Sequence, residues 1–217
     1  MSRVATHDHP ATFPAVVLAT LDELLPASGL VLDPFAGIGT IHRLGGDLFG
    51  RRTFGVELEP EWAACHPDTI IADATALPFD DDIFDAVATS PAYGNRMADA
   101  FTARDTSRRA FYARSLGRRL SPGSGAALQW GEAYRNLHTR AAAEMVRVVG
   151  PGGLVVLNVK DHVRRFELQP VCEWWRLTLI DLGAPWRRTI EVDVGGLRHL
   201  NGHVDRPELV LVHEVAP

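Results

Sequence analysis

The chain has 217 residues, 46% hydrophobic and 23% charged, which suits one compact domain and leaves too little for a second large one. Twenty-two Lys and Arg stand against 27 Asp and Glu, and the net charge of -5 argues against a protein that coats nucleic acid by bulk attraction while leaving a local basic patch open. The two cysteines, Cys65 and Cys172, lie far apart without a C-x-x-C pair, so neither a disulfide framework nor a cysteine-based zinc site is indicated, and a reducing cytoplasm is expected.

The N-terminal segment from Met1 to Pro14 lacks a long apolar run, and later apolar stretches are of strand length, so a soluble chain without a membrane span is expected. The basic side is almost all arginine, with Lys160 the only lysine, which reads as genome composition rather than as a site. Val17, Leu18, Leu21, Leu24 and Leu25 recur at helical spacing after Thr12 and Pro14, and Pro26 and Gly29 end that helix. Gly29 to Asp33 is a short apolar strand, followed by a glycine-rich turn and a helical segment from Thr40 to about Leu48. The alternation continues with a strand over Thr53 to Glu57, a helical turn over Pro60 to Cys65, and strands over Thr69 to Asp73 and Phe84 to Thr89. Tyr134, Leu137, Ala141, Met145 and Val148 mark one helix face, stopped by Gly150-Pro151-Gly152-Gly153 before a fifth strand, Leu154 to Val159. A helix around Pro170 to Leu182 and two closing strands, Arg188 to Val194 and Glu208 to Glu214, complete the reading, without any internal repeat.

Strands alternating with helices predict an open α/β sheet, mostly parallel and covered on both faces, which binds ligands at the carboxyl ends of its strands. Asp33, Glu57, Asp73 and Ser90 each place a polar group at such an end. Gly37 and Gly39 follow a strand and open a helical segment, where backbone N–H groups can approach a ligand. Position 42 is His, not the third glycine of a dinucleotide turn, and no G-K-S/T follows, so both phosphate-binding readings lose ground.

Asp33-Pro34-Phe35-Ala36-Gly37-Ile38-Gly39-Thr40 resembles the D-P-F-x-G-x-G-T cofactor loop of S-adenosylmethionine-dependent DNA amino-methyltransferases, which act on cytosine N4 or adenine N6. His9-Pro10-Ala11-Thr12-Phe13-Pro14 is similar to a segment that precedes this loop in some members, and the resemblance spans about residues 9 to 160. It implies the Rossmann-like, doubly wound, mostly parallel seven-stranded sheet of class I methyltransferases, as a single domain over 1–217, with S-adenosyl-L-methionine as cofactor. The implied cofactor residues are His9, Phe13, Asp33, Phe35, Ala36, Gly37, Gly39, Thr40, Glu57, Leu58, Asp73, Ala74 and Ser90. Glu57 would accept from the ribose hydroxyls, Asp73 from the adenine amino group, and Asp33 would hold the methionine ammonium, with Phe35 packed near that end. Asp73 as a cap for the following turn is nearly as good a reading of the residue.

Ser90-Pro91-Ala92-Tyr93 is similar to the family's D/N/S-P-P-Y/F/W catalytic motif. An exocyclic base amine is a weak nucleophile because its lone pair is delocalised into the ring; two acceptors for its N–H groups favour a pyramidal nitrogen. Ser90 Oγ and the Pro91 carbonyl would be those acceptors, and Tyr93 would stack on the flipped base. Ala92 departs from the pattern, which has a second proline, and is expected to leave the turn less rigid. The serine leans slightly toward cytosine N4.

Residues 96–119 carry Arg96, Arg104, Arg108, Arg109, Arg114, Arg118 and Arg119 against Asp99 and Asp105, a local charge of +5 within a chain of net -5. Phe101, Phe111 and Tyr112 are interleaved with these arginines, and Ser121 to Gly125 reads as a flexible loop. A basic, aromatic-bearing insertion over about 94–130 suits phosphate clamping and base stacking, with Arg96, Arg104, Arg108 and Arg109 as the candidate contacts. DNA is the expected partner. Guanine N2 of structured RNA is the alternative acceptor, and a non-catalytic cofactor-binding subunit is the alternative class. With no room for a separate target-reading region, specificity would be modest or come from a homodimer or separate partner. The nine histidines are scattered, His7 and His9 being the only tight pair, and the chemistry calls for no metal.

Overall fold

A computed structural model describes residues 9, 12–46, 50–94, 112–164, 166–194 and 207–217, apart from the side chains of Arg114 and Arg164. The first helix, α1 (Ala15–Leu24), starts behind Pro14 and buries Val17, Leu18 and Leu21. Strands β1 (Gly29–Asp33), β2 (Arg51–Glu57), β3 (Thr69–Ile71) and β4 (Phe84–Thr89) follow, with the single helical turn α2 (Pro60–Ala63) between β2 and β3. Beyond them come α3 (Tyr112–Leu116), α4 (Glu132–Val148), β5 (Val149–Val159), a hairpin of β6 (His162–Arg164) and β7 (Glu167–Gln169), α5 (Val171–Asp181), β8 (Trp186–Val192) and β9 (Glu208–Glu214).

Seven strands form one sheet in the order β3-β2-β1-β4-β5-β9-β8. β1 to β5 run parallel, and β9 is antiparallel to both β5 and β8. The expected Rossmann-like, doubly wound and mostly parallel seven-stranded sheet is therefore present, and the two late strands pair as expected, with β9 also inserted beside β5. Leu32, Val87, Val155 and Leu157 pack with α4 and α5 on one face, while Val31, Ala86, Ala88 and Val156 pack with α1 on the other. Burial on both faces is why these strands read as mainly apolar runs rather than alternating ones.

Strand order reverses at β1, whose neighbours are β2 and β4, so the cleft past the ends of β1 and β4 is the topological switch point of the sheet. Asp33 ends β1 and Thr89 ends β4 at that cleft.

Local departures have identifiable causes. The helix expected from Thr40 to Leu48 is a short 3-10 turn, Thr40–Leu44, closed by the Gly45 N–H on the His42 carbonyl. The fifth strand begins at Val149 directly after α4, but its ladder with β4 slips across Gly150-Pro151-Gly152-Gly153 and becomes regular from Leu154. The β6–β7 hairpin was not expected. Only three residue pairs hold it, and a strand that short leaves little periodic signal.

Candidate active site

The turn after β1 is shaped by two glycines in the left-handed region, Gly37 at φ 54° and Gly39 at φ 81°. Its backbone is tied down by Ala36 N–H donating to the Val56 carbonyl at 3.0 Å and Gly39 N–H to the Ala36 carbonyl at 2.8 Å. Glu57 ends β2 and accepts from the backbone N–H groups of Gly37 and Glu59, each at 2.9 Å. Burial raises the Glu57 carboxyl above its usual range, while the backbone donors of Glu59 and Gly37 oppose that rise. Each of its oxygens has a further lone pair for an incoming hydroxyl.

Asp33 is 1% exposed, and Oδ1 accepts from Thr89 Oγ1 at 2.6 Å and from Phe35 N–H at 3.0 Å. Among the described residues it forms no ion pair. Burial pushes its carboxyl up to about 7, partly opposed by those two donors. A buried carboxylate without a cation is poised for a cationic ligand, since an ammonium group would supply the missing charge. The two carboxylates, on adjacent strands, are acceptors that suit an amino-acid ammonium at Asp33 and a diol at Glu57.

Other sequence-selected positions distribute as follows. The His9 ring lies 4.3 Å from Trp62 and 5.5 Å from Tyr112, and a Cβ at Gly37 would come within 3.3 Å of it, so His9 covers the glycine turn. Phe35 is half-buried, with its ring 5.7 Å from that of His138. Ala36 and Ala74 are buried, while Thr40 and Leu58 are half-buried beside the turn and after Glu57. Phe13 is buried in the apolar cluster of α1. Asp73 spends Oδ1 within its own loop, accepting from Thr75 N–H at 2.8 Å, the capping geometry expected as the alternative. Arg96, Arg104, Arg108 and Arg109 lie outside the described residues.

Past β4, Ser90 Oγ lies 3.0 Å from the Tyr93 hydroxyl. Tyr134 O–H donates to the Ala92 carbonyl at 2.7 Å, and Trp130 N–H donates to the Gly94 carbonyl at 2.7 Å. These contacts from α4 and the segment before it hold the backbone at Ala92 and Gly94, where the family pattern's second proline is absent. The Pro91 carbonyl receives no hydrogen bond from a described residue, which leaves it free to accept from an amine. Beneath the turn, Tyr134 stacks on His138 at 4.0 Å, and burial lowers His138 to about 4, so this histidine is neutral at physiological pH.

Sequence reasoning missed several members of the site. Asn158, 1% exposed near the end of β5, donates from Nδ2 to the Tyr93 oxygen at 3.1 Å and to Glu208 Oε2 at 2.8 Å. The available signal was a lone amide in the apolar run Val155 to Val159 and an acid opening β9. Glu59 is 1% exposed and accepts from Ser121 N–H at 2.8 Å, from Ser121 Oγ at 2.9 Å and from Arg118 Nη2 at 2.8 Å. Arg118 also binds Glu61. The Ser121–Gly125 segment is therefore anchored at its start rather than loose, and Arg118 is committed to carboxylates instead of being offered to phosphate. Glu59→Ala removes the acceptor of the Ser121 N–H and half of the Arg118 pairing. It should cost roughly 3 kcal/mol in stability, read as a lower denaturation midpoint, whereas Glu59→Gln should cost less.

Among the described residues one trio, His42, His66 and Asp68, places metal-type ligand atoms within 4.8 Å of one another. His42 spends Nδ1 on Thr53 at 3.0 Å and Nε2 on Thr69 at 2.8 Å, and its ring stacks on His66 at 3.7 Å. With both His42 nitrogens engaged by threonines, the stacked pair braces the Gly39 turn against β2 and β3.

No protein-family model matches the sequence, and no curated protein matches it. Solved structures match the fold. A methyltransferase from Pyrococcus furiosus superimposes with a TM-score of 0.60 at 13% identity, covering 95% of this chain and 84% of that one. A TehB-like SAM-dependent methyltransferase from Corynebacterium glutamicum gives 0.52 at 17% identity, covering 92% and 86%. A geranyl diphosphate methyltransferase in complex with GPP and sinefungin gives 0.57 at 12% identity, covering 91% and 76%. The chain thus has the fold of class I methyltransferases.

Proposed function

We propose that this chain is an S-adenosylmethionine-dependent methyltransferase acting on an exocyclic amino group of a DNA base, cytosine N4 or adenine N6. The observation that carries the reading is the 2.6 Å hydrogen bond from Thr89 Oγ1 to Asp33 Oδ1, which joins the cofactor-type turn to the strand end leading into Ser90 across the switch point. When bound, the cofactor supplies an electrophilic methyl group on a sulfonium. Asp33 would hold its ammonium, Glu57 its ribose hydroxyls, and the left-handed turn at Gly37 and Gly39 would admit it without side-chain interference. Ser90 Oγ and the Pro91 carbonyl would accept hydrogen bonds from the two amine N–H groups, one of which is retained in the methylated product while the other proton is lost to solvent, and much of the rate gain would come from placement.

The basic segment 96–119 favours nucleic acid over a small-molecule acceptor. A second feature agrees with it. Phe166 stands 94% exposed at the turn of the β6–β7 hairpin with φ 65°, a large ring held in water on a backbone that non-glycine residues avoid, as a base-stacking contact would require. The hairpin begins four residues beyond Asn158, at the carboxyl end of β5 where substrate would enter. Arg108→Glu combined with Arg109→Glu should weaken binding of duplex DNA at moderate salt by about 10-fold or more and leave cofactor affinity unchanged. Equal DNA affinity would remove the insertion from the interface.

No described helix is long and apolar enough to cross a membrane. A cytoplasmic enzyme with target recognition supplied by a second copy or a separate protein is part of the same proposal. The test is incubation with labelled S-adenosylmethionine and DNA, transfer RNA or no acceptor, followed by nucleoside identification. N4-methylcytosine or N6-methyladenine supports the reading. Label in RNA alone would replace it with guanine N2 methylation, and cofactor binding without transfer would leave a non-catalytic subunit.

A further inference from the structure

A serine hydroxyl can donate or accept, and an amine about to be methylated needs it to accept. A carboxylate at that position could only accept, so Ser90 requires something to direct its hydrogen away from the substrate. We infer that Glu208, acting through Tyr93, sets the direction of the hydrogen-bond chain ending on Ser90, so that Ser90 Oγ presents lone pairs to the amine. The inference rests on the proposed function above and assigns Glu208 and the Tyr93 hydroxyl as positioning groups.

The geometry defines the direction. Glu208 opens β9, whose pairing with β5 sets Leu209 against Val159 and Val210 against Asn158. Its Oε2 can only accept, and it receives Asn158 Nδ2 at 2.8 Å and the Tyr93 hydroxyl at 3.5 Å. The second Asn158 N–H goes to the Tyr93 oxygen at 3.1 Å. Ser90 Oγ and the Tyr93 oxygen lie 3.0 Å apart, a pair in which either hydroxyl could donate; with the Tyr93 hydrogen drawn toward the carboxylate, Ser90 O–H is left as the donor. The opposite direction would leave the Tyr93 oxygen facing Glu208 with no hydrogen between them. Asn158 is oriented by the same carboxylate: a flipped amide would set its carbonyl against Glu208, and the existing orientation is kept although Asn158 Oδ1 is buried without a partner. Burial, with Glu208 adding to it, raises the Tyr93 hydroxyl above its usual range, so the link stays protonated.

Tyr93→Phe tests this directly, because it keeps the ring available for stacking and removes only the hydroxyl. Turnover on whichever acceptor the wild type methylates should fall about 30-fold to 100-fold, with cofactor Kd and acceptor KM within about threefold of wild type. Glu208→Met, which removes the acceptor at similar length, should show a loss of the same order. Glu208→Gln, whose carbonyl can still accept from Tyr93 and Asn158, should stay within about fivefold. Adding Ser90→Asp to Glu208→Met should recover about 10-fold or more, since a carboxylate at position 90 has no hydrogen to misdirect. A purely structural role for the network predicts no such rescue. Wild-type turnover in Tyr93→Phe, or no gain from Ser90→Asp over Glu208→Met alone, overturns the assignment while leaving the proposed function intact. A wild type that methylates no amine overturns both.

Discussion

Asp33→Asn is expected to weaken S-adenosylmethionine binding by about 10²-fold while making the ligand-free protein more stable. In the free protein Asp33 is a carboxyl 1% exposed whose burial pushes it up to about 7, far above its ordinary 3.8. A carboxyl raised in the folded state binds more protons there than in the unfolded chain. Its destabilising effect is therefore small below about pH 4, grows as pH rises toward 7, and is complete above that. Asparagine still accepts from Thr89 Oγ1 and Phe35 N–H and does not titrate, so it should raise the unfolding midpoint at pH 8 by about 5 °C and by less at pH 5. Binding runs the other way. An ammonium group prefers the ionised carboxylate, so wild-type affinity should fall by up to about tenfold per unit as pH drops below 7, whereas that of the variant should vary little. Calorimetric titration between pH 5 and 8 checks both signs. Equal pH dependence in the two proteins would remove Asp33 from the cofactor site.

Ser90→Ala should lower turnover about 10²-fold to 10³-fold with cofactor Kd within about threefold of wild type. The side chain lies one residue after the Thr89 contact to Asp33 and hydrogen-bonds Tyr93. Loss of the hydroxyl leaves Asp33, Glu57 and the turn unchanged, so a loss confined to turnover identifies a group that acts on the amine. Single-turnover assays with saturating cofactor separate this from a binding defect. Preserved turnover would place the reacting amine elsewhere on the sheet edge.

The legible parts of this molecule were those written locally. The mainly apolar runs Gly29–Asp33 and Phe84–Thr89 have the length of strands buried on both faces, and both form with those bounds. Gly37 and Gly39 announced a turn, and both adopt the left-handed backbone that only glycine enters without strain. The 3-10 turn at Thr40–Leu44 was less legible, because its helical pattern continues in sequence while the backbone is closed off by the Gly45 N–H on the His42 carbonyl. Glu59 was invisible for a related reason. An acid before a proline at a helix start ordinarily stays in water, and only its meeting with Arg118 and Ser121, about sixty residues on, makes it a buried anchor.

The identity of the polar residues at strand ends, Asp33, Glu57 and Ser90, and the chemistry they suit were determined by the sequence alone, since strand periodicity decides which side chain closes each strand and a parallel sheet presents those ends on one edge. Which of these groups share a hydrogen bond was decided only by the tertiary structure. The reversal of strand order at β1 brings Thr89 against Asp33, and the antiparallel return of β9 brings Glu208 beside Asn158, 50 residues away in sequence. Contacts of that separation depend on how the strands are ordered across the sheet, and each strand's own residues encode its burial and not its neighbour.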